Sequence, residues 1–143
     1  MQTVGELLES TKHPVRSVKP TASAFEAIQL MDKHKINTLL VLDRKKLVGT
    51  VSERDCARNV ILKDKSAKRT QVQEIMQSEV VCASPGQSIE GLLKLMADKR
   101  LRYLPVVDGA KLVGVISIAD VTRATLSGED SLIEQLTKFI TGS

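Results

Sequence analysis

A ten-residue pattern occurs twice in this chain: Lys46-Leu47-Val48-Gly49-Thr50-Val51-Ser52-Glu53-Arg54-Asp55 and Lys111-Leu112-Val113-Gly114-Val115-Ile116-Ser117-Ile118-Ala119-Asp120. Lys46 and Lys111, Gly49 and Gly114, Asp55 and Asp120 are all separated by the same 65 positions. Residues 20–55 set ungapped against 85–120 share Pro, Ser, Leu-Met, Leu, Val, Asp, Lys-Leu-Val-Gly, Ser and Asp, thirteen identities in thirty-six. Most other pairs keep their character, such as Ile36 with Leu101, Val51 with Ile116 and Lys35 with Arg100. Self-similarity at that length marks a structural unit rather than a short motif. A unit of about sixty residues buries little surface alone, so the two halves are expected to be interdependent.

Each unit reads as strand, helix, strand, strand, helix. Ser23 to Lys35 carries Ala24, Ala27, Ile28 and Met31 at helical spacing, followed by Ile36, and Ser88 to Arg100 repeats it with Ile89, Leu92, Leu93 and Met96. These stripes are expected in the core. Two apolar runs follow in each copy, joined by turns at Asp43 to Lys46 and Asp108 to Lys111, and Asp108-Gly109 is a hairpin signal. Short strands are expected at Val15 to Val18 and Val80 to Ala83. Val4-Gly-Glu-Leu-Leu8 and Val72-Gln-Glu-Ile-Met76 echo each other ahead of the two units and read as docking helices, the first within Gln2 to Ser10. Polar, basic Lys63 to Thr70 reads as a linker. Leu132, Ile133, Leu136, Phe139 and Ile140 line one face of an expected C-terminal helix. The divisions are 1–14 for the N-terminal helix and loop, 15–63 and 80–127 for the repeats, 64–79 for linker and docking helix, and 128–143 for the terminal helix.

The repeated stretch invites two chemical readings. Leu-Val-Gly-Thr-Val and Leu-Val-Gly-Val-Ile suit buried strands, with Gly where a backbone or a ligand comes close. Ser52 and Ser117 then stand where strand gives way to helix, with Asp55 and Asp120 three residues on. In one reading the pair only caps the helix. In the other, free N–H groups face a phosphate and an acceptor-only carboxylate takes a pair of ribose hydroxyls.

Composition excludes several classes. Aromatic residues make up 2% of the chain and Trp is absent, so there is no stacking platform for single-stranded nucleic acid. There is no nucleophile–base pair, no Walker-type loop and no recognition helix, which argues against an enzyme or a nucleic-acid reader. Cys56 and Cys82 have no Cys-x-x-Cys spacing, and with His13 and His34 they form no metal pattern. His13 precedes Pro14 in an expected exposed loop. The net charge of +4 is uneven: residues 1–71 hold fourteen Lys and Arg against eight Asp and Glu, and 72–143 hold seven against nine. The first half would attract a polyphosphate or an acidic partner. The sequence shows neither a membrane span nor a secretion signal, which points to the cytoplasm.

Together, the two Gly-h-h-Ser-x-x-Asp ends (h apolar), the strands Leu39 to Asp43 and Leu104 to Asp108, and the helix seeds Ser23 to Met31 and Ser88 to Met96 resemble a tandem pair of CBS domains. Ser52-Glu53-Arg54-Asp55 followed by Cys56-Ala57-Arg58 further resembles small stand-alone CBS-pair proteins. The resemblance implies an α+β fold of two βαββα repeats packed through their strands about a pseudo-two-fold axis. It also implies a regulatory module, not an enzyme, that binds AMP, ATP, NAD or S-adenosylmethionine in two clefts and associates as a homodimer. No metal is implied.

Carried onto this chain, the resemblance groups Arg16, Val18, Ile36, Asn37 and Thr38 with Ser117 and Asp120 in one cleft. The other combines Val81, Ala83, Leu101, Arg102 and Tyr103 with Ser52 and Asp55. The aspartates would hold ribose. Arg16, Arg54, Arg58, Arg100 and Arg102 are the candidate phosphate cations, with Arg54 and Arg58 sharing a helix face. Ile118-Ala119 replaces Glu53-Arg54 in the second copy, so unequal clefts are expected, with the larger or more anionic ligand, such as NAD, at Asp55. Leu40 in place of Pro105 alters one adenine edge. A ligand-independent interaction adaptor is the alternative function.

Overall fold

The computed structural model describes residues 2–127, and the expected C-terminal helix lies outside the described residues. In order, the elements are α1 (Val4–Ser10), β1 (Ser17–Val18), α2 (Ala24–His34), β2 (Thr38–Asp43), β3 (Lys46–Ser52) and α3 (Glu53–Cys56), which runs into a π-helical turn (Ala57–Ile61). After these come α4 (Val72–Ile75), α5 (Ile89–Lys99), β4 (Tyr103–Asp108), β5 (Lys111–Ser117) and α6 (Ile118–Ser127). The fold is mixed α+β, as the sequence implies.

The chain divides into two compact units, and the division does not follow the sequence repeats. One unit holds Pro14–Val81 with Gly109–Leu112; the other holds residues 2–13, Cys82–Asp108 and residues 113–127. The docking helices are therefore exchanged. Helix α1 precedes the first repeat but packs with the second: the Val4 N–H donates to Gln87 O at 2.9 Å and the Gly5 N–H to Pro85 O at 2.9 Å. Helix α4 precedes the second repeat but packs with the first, the Val72 N–H donating to Ala22 O at 2.8 Å. The supposed linker is part of this packing. Ala24 and Phe25 donate their N–H groups to the carbonyls of Thr70 and Ala67, and Thr70 is buried.

Both helices dock on the repeated glycines. A Cβ on Gly49 would lie 2.7 Å from the Gln77 carbonyl oxygen, and one on Gly114 would lie 2.6 Å from Leu8 Cδ1. The sequence reading of these glycines as points of close approach is thereby given its partners.

In the first unit β1 pairs parallel with β2, and β2 pairs antiparallel with β3. The pairs Val41–Gly49 and Leu42–Leu47 leave Val48 as a bulge. Val18, Ala24, Ala27, Met31, Leu39, Val41, Val51, Cys56, Val60, Val72 and Ile75 form its core. Ile28, expected inside, is exposed beside Phe25, because α2 turns only its Ala24, Ala27 and Met31 stripe inward. The second unit buries Val4, Leu7, Ala83, Ile89, Leu92, Met96, Leu104, Val106, Ile116 and Val121. Its expected first strand is reduced to a single parallel bridge between Ala83 and Val106.

Helices α2 and α5 end alike. Lys35 at φ 56° and Arg100 at φ 54° take the left-handed conformation, and Ile36 and Leu101 donate back to the carbonyls of Met31 and Met96. Arg100, a candidate phosphate cation from sequence, thus holds a helix-closing backbone position.

Gly49→Ala is expected to destabilise by about 1–3 kcal/mol, since its Cβ meets a backbone carbonyl that cannot step aside. Gly114→Ala should cost less, because the flexible end of Leu8 can move, and Gly86→Ala, with open space around it, should be near neutral. Urea unfolding of the three variants checks the order.

Candidate functional site

Each repeat ends its second long strand in a Ser that caps the next helix. In the first unit the Ser52 Oγ accepts the Asp55 N–H at 3.1 Å, while Asp55 Oδ2 accepts the Ser52 N–H at 2.9 Å and the Ser52 hydroxyl at 3.0 Å. The second unit repeats this: Ser117 Oγ accepts the Asp120 N–H at 3.1 Å, and Asp120 Oδ2 accepts the Ser117 N–H at 2.9 Å and its hydroxyl at 2.7 Å. The first helical N–H of each copy is also taken, Glu53 donating to Asn37 O at 3.0 Å and Ile118 to Arg102 O at 2.7 Å. The capping reading therefore holds in full. The first and third helical N–H groups of each copy do not stand free for a phosphate: Asn37 O or Arg102 O takes the first and the Ser Oγ takes the third. What the motif sets there is a buried carboxylate with a ring of side chains around it.

Around Asp55 lies a depression of about 560 Å³ lined by Thr38, Thr50, Ser52, Arg54, Asp55, Arg58, Asn59 and Gln77. Asp55 is buried at its base, and its second oxygen, Oδ1, accepts the Gln77 Nε2–H at 3.0 Å. Gln77 is held by its backbone, which exchanges hydrogen bonds with Thr50 at 2.9 and 2.8 Å just beyond α4. Arg54 and Arg58 both reach the depression, and among the described residues neither forms an ion pair. Arg58 and Asn59 sit on the π turn, whose wider winding places adjacent residues on one wall. Sequence reasoning missed Thr50, Asn59 and Gln77. Gln77 and Thr50 are brought to Asp55 by the helix exchange, and no motif signals a π turn.

Around Asp120 the arrangement differs. His13 Nε2 lies 2.5 Å from Asp120 Oδ2, and the Arg123 guanidinium donates to Oδ1 at 3.2 Å. The Asp120 side chain is 2% exposed, against 32% for His13 and 74% for Arg123. Tyr103 stands edge-on to the His13 ring at 6.4 Å. Burial by itself would raise the Asp120 pKa, but the two bonds from Ser117 and the bond and charge of His13 outweigh it and hold the carboxyl below its usual value. His13, assigned to an exposed loop from sequence, is instead a partner of the buried aspartate.

The other candidate residues divide by unit. Thr38 pairs in register with Ser52, and its hydroxyl donates to Asn37 Oδ1 at 3.2 Å, so Asn37 and Thr38 accompany the Ser–Asp pair of their own repeat. The sequence grouping had set them with Asp120. Arg102 and Tyr103 likewise lie by Ser117 and His13 of their own repeat, where the grouping had set them with Asp55. Val18 and Ala83 are buried core residues, Ile36 and Leu101 pack against the two cores, and Arg16 and Val81 are exposed.

Burial pushes up the thiol pKa values of Cys56 and Cys82, the former with help from Asp55 and Glu53. Among the described residues no cluster of three His, Cys, Asp or Glu is placed to hold a metal ion, and no helix is long and apolar enough to cross a membrane.

A strand–helix junction with a capped, buried carboxylate thus recurs in each of two compact units, and the class is a tandem-repeat α+β protein. The CBS-domain family model matches residues 4–62 and 72–127, and the chain belongs to that family. It is 32% identical over 117 residues to the CBS domain-containing protein YhcV of Bacillus subtilis, covering 82% of this chain and 83% of that protein. It is 30% identical over 125 residues to the mitochondrial CBS domain-containing protein CBSX3 of Arabidopsis thaliana, covering 84% of this chain and 61% of that protein. A solved structure from Burkholderia ambifaria, described as a candidate signal-transduction protein with CBS domains, superposes with a TM-score of 0.69 at 39% identity, covering 86% of this chain and 93% of that one.

Because the folded pKa of Asp120 is depressed, its contribution to stability is complete above the ordinary aspartate value of 3.8 and is lost as pH falls through the lower folded value. Asp120→Asn should flatten the acid limb of the stability profile below about pH 4, measured by thermal melts across pH.

Proposed function

We propose that this CBS pair is a regulatory module that binds an adenine nucleotide and passes its occupancy to a partner protein. The observation that carries the reading is the depression over Asp55. It combines an acceptor for ribose hydroxyls at its base with two arginines that have no ion-pair partner among the described residues. Its volume falls within the range of about 300–1,000 Å³ usual for small-ligand sites. A carboxylate accepts from neighbouring hydroxyls, and guanidinium groups fork onto phosphate oxygens. AMP, ATP and NAD all carry both groups, and the paired arginines favour those with more phosphate. Occupancy becomes a signal only if the two states of the module differ in affinity for the ligand.

Isothermal calorimetry with AMP, ATP and NAD tests the reading. Asp55→Ala should weaken the best ligand by about 10- to 100-fold, the loss expected for a hydrogen bond to a charged group. Arg54→Ala with Arg58→Ala should weaken ATP more than AMP. Equal binding by all variants would move the ligand away from the Asp55 depression, and no binding by the wild type would return the protein to the adaptor reading.

We also infer a homodimer, as the resemblance to CBS pairs implies. Phe25, Ile28, Ile61 and Leu62 are exposed on the helical side of the first unit, and burial against a second copy would cover them. Light scattering at micromolar concentration should give twice the chain mass for the wild type and a shift toward monomer for Ile61→Glu.

A further inference from the structure

Asp55 and Asp120 hold equivalent places in their repeats, yet the acceptor capacity left to each is different. A carboxylate offers roughly four lone-pair sites. Asp120 receives four donors, three on Oδ2 (the Ser117 N–H at 2.9 Å, the Ser117 hydroxyl at 2.7 Å and His13 Nε2 at 2.5 Å) and one on Oδ1 (Arg123 at 3.2 Å). Its Oδ2 is filled. Asp55 receives three, two on Oδ2 from Ser52 and one on Oδ1 from the neutral amide of Gln77, so the place that His13 takes on Asp120 Oδ2 is open at Asp55. A ribose diol that spans both oxygens needs a place on each. At Asp55 the place on Oδ2 is open, and Oδ1 is met by a single neutral amide. At Asp120 the place on Oδ2 is held by His13, which is more buried than the Arg123 that meets Oδ1.

The two plugging side chains arrive by the same route. Gln77 follows α4 and His13 follows α1, so each exchanged docking helix delivers one polar group to the carboxylate of the repeat on which it packs. The structural device is shared, and the chemistry of its tip is not.

We propose that His13 is a specificity-determining residue that keeps the Asp120 half-site closed, so that each chain takes up a single nucleotide, at Asp55. This rests on the nucleotide reading given above. Gln77 is the exchangeable counterpart: it holds Asp55 in place without saturating it. Arg123 seconds the closure from a largely exposed position, where solvent screens it.

The test is calorimetric stoichiometry on the full chain with whichever of AMP, ATP or NAD binds the wild type. Sites of wild-type affinity should number one for the wild type, none for Asp55→Ala, two for His13→Ala and one for Asp55→Ala combined with His13→Ala. His13→Gln, which copies the amide found at Asp55 and guards against a folding defect in the alanine variant, should also give two. Two sites in the wild type, or a single site in both His13 variants, overturns the closure and leaves the nucleotide reading intact. No binding by any of the proteins overturns both. An independent readout is the ¹⁵N chemical shift of the His13 ring. It should move in Asp120→Asn, and an unchanged spectrum means the contact does not hold in solution and the closure falls.

Discussion

The reciprocal bonding of Ser and Asp at each strand–helix junction is the interaction on which the remaining architecture depends. A buried carboxylate is tolerated only when donors replace its lost hydration. Here the Ser backbone and hydroxyl supply two, and the Ser oxygen in return satisfies a helical N–H that would otherwise be orphaned. The position also suits the charge, since an acid in the first helical turn meets the positive end of the peptide dipoles. The junction is thus stable before any ligand is considered. It still leaves the carboxylate able to accept from beyond the cap, from Gln77 at Asp55 and from His13 at Asp120, and the identity of that group decides what the junction can do.

That group is set by a feature of chain routing. Each short docking helix crosses to the other repeat and lands on a glycine, because only a residue without Cβ admits Gln77 O or Leu8 so close to the strand. Around Gly49 the neighbouring Thr50 exchanges two backbone bonds with Gln77, which fixes where the amide side chain can point. Repeated glycine, exchanged helix and plugged carboxylate therefore belong to one construction. A change at Gly49 would be felt at Asp55 through Gln77, although Gly49 does not line the depression.

Elements with period and punctuation of their own were legible in the sequence. The stripes of α2 and α5, the two hairpins with Arg44 at φ 61° and Gly109 at φ 66°, and the strand-to-helix step at Ser52 and Ser117 follow from local pattern. The partnership of distant segments was not. His13 and Asp120 are 107 positions apart and Gln77 and Asp55 are 22 apart, and no periodicity relates them. The π turn was hidden as well, since Ala57-Arg-Asn-Val-Ile61 has an ordinary helical composition. Resemblance grouped Thr38 and Tyr103 with the Ser–Asp pair of the opposite repeat, and within each unit the backbone sets Thr38 opposite Ser52 and Tyr103 next to His13.

The two repeats differ most where they need not differ to fold. Both cores are aliphatic, both helices close through a left-handed residue, and both junctions are capped. Glu53-Arg54 against Ile118-Ala119, and Gln77 against His13, leave the caps intact, with Ile118 adding to the edge of the second core; they change the charge and exchangeability of the groups around one carboxylate. At Asp55 the cations near the acid are unpaired among the described residues, so their charge is available to an incoming anion. At Asp120 the nearby cation is committed to the acid itself. An ion pair that is already made offers an external phosphate little field, because the charges largely cancel beyond their own separation. The same scaffold thus yields an open half-site and an internally compensated one. The difference lies in side chains that the packing of either repeat leaves free to vary.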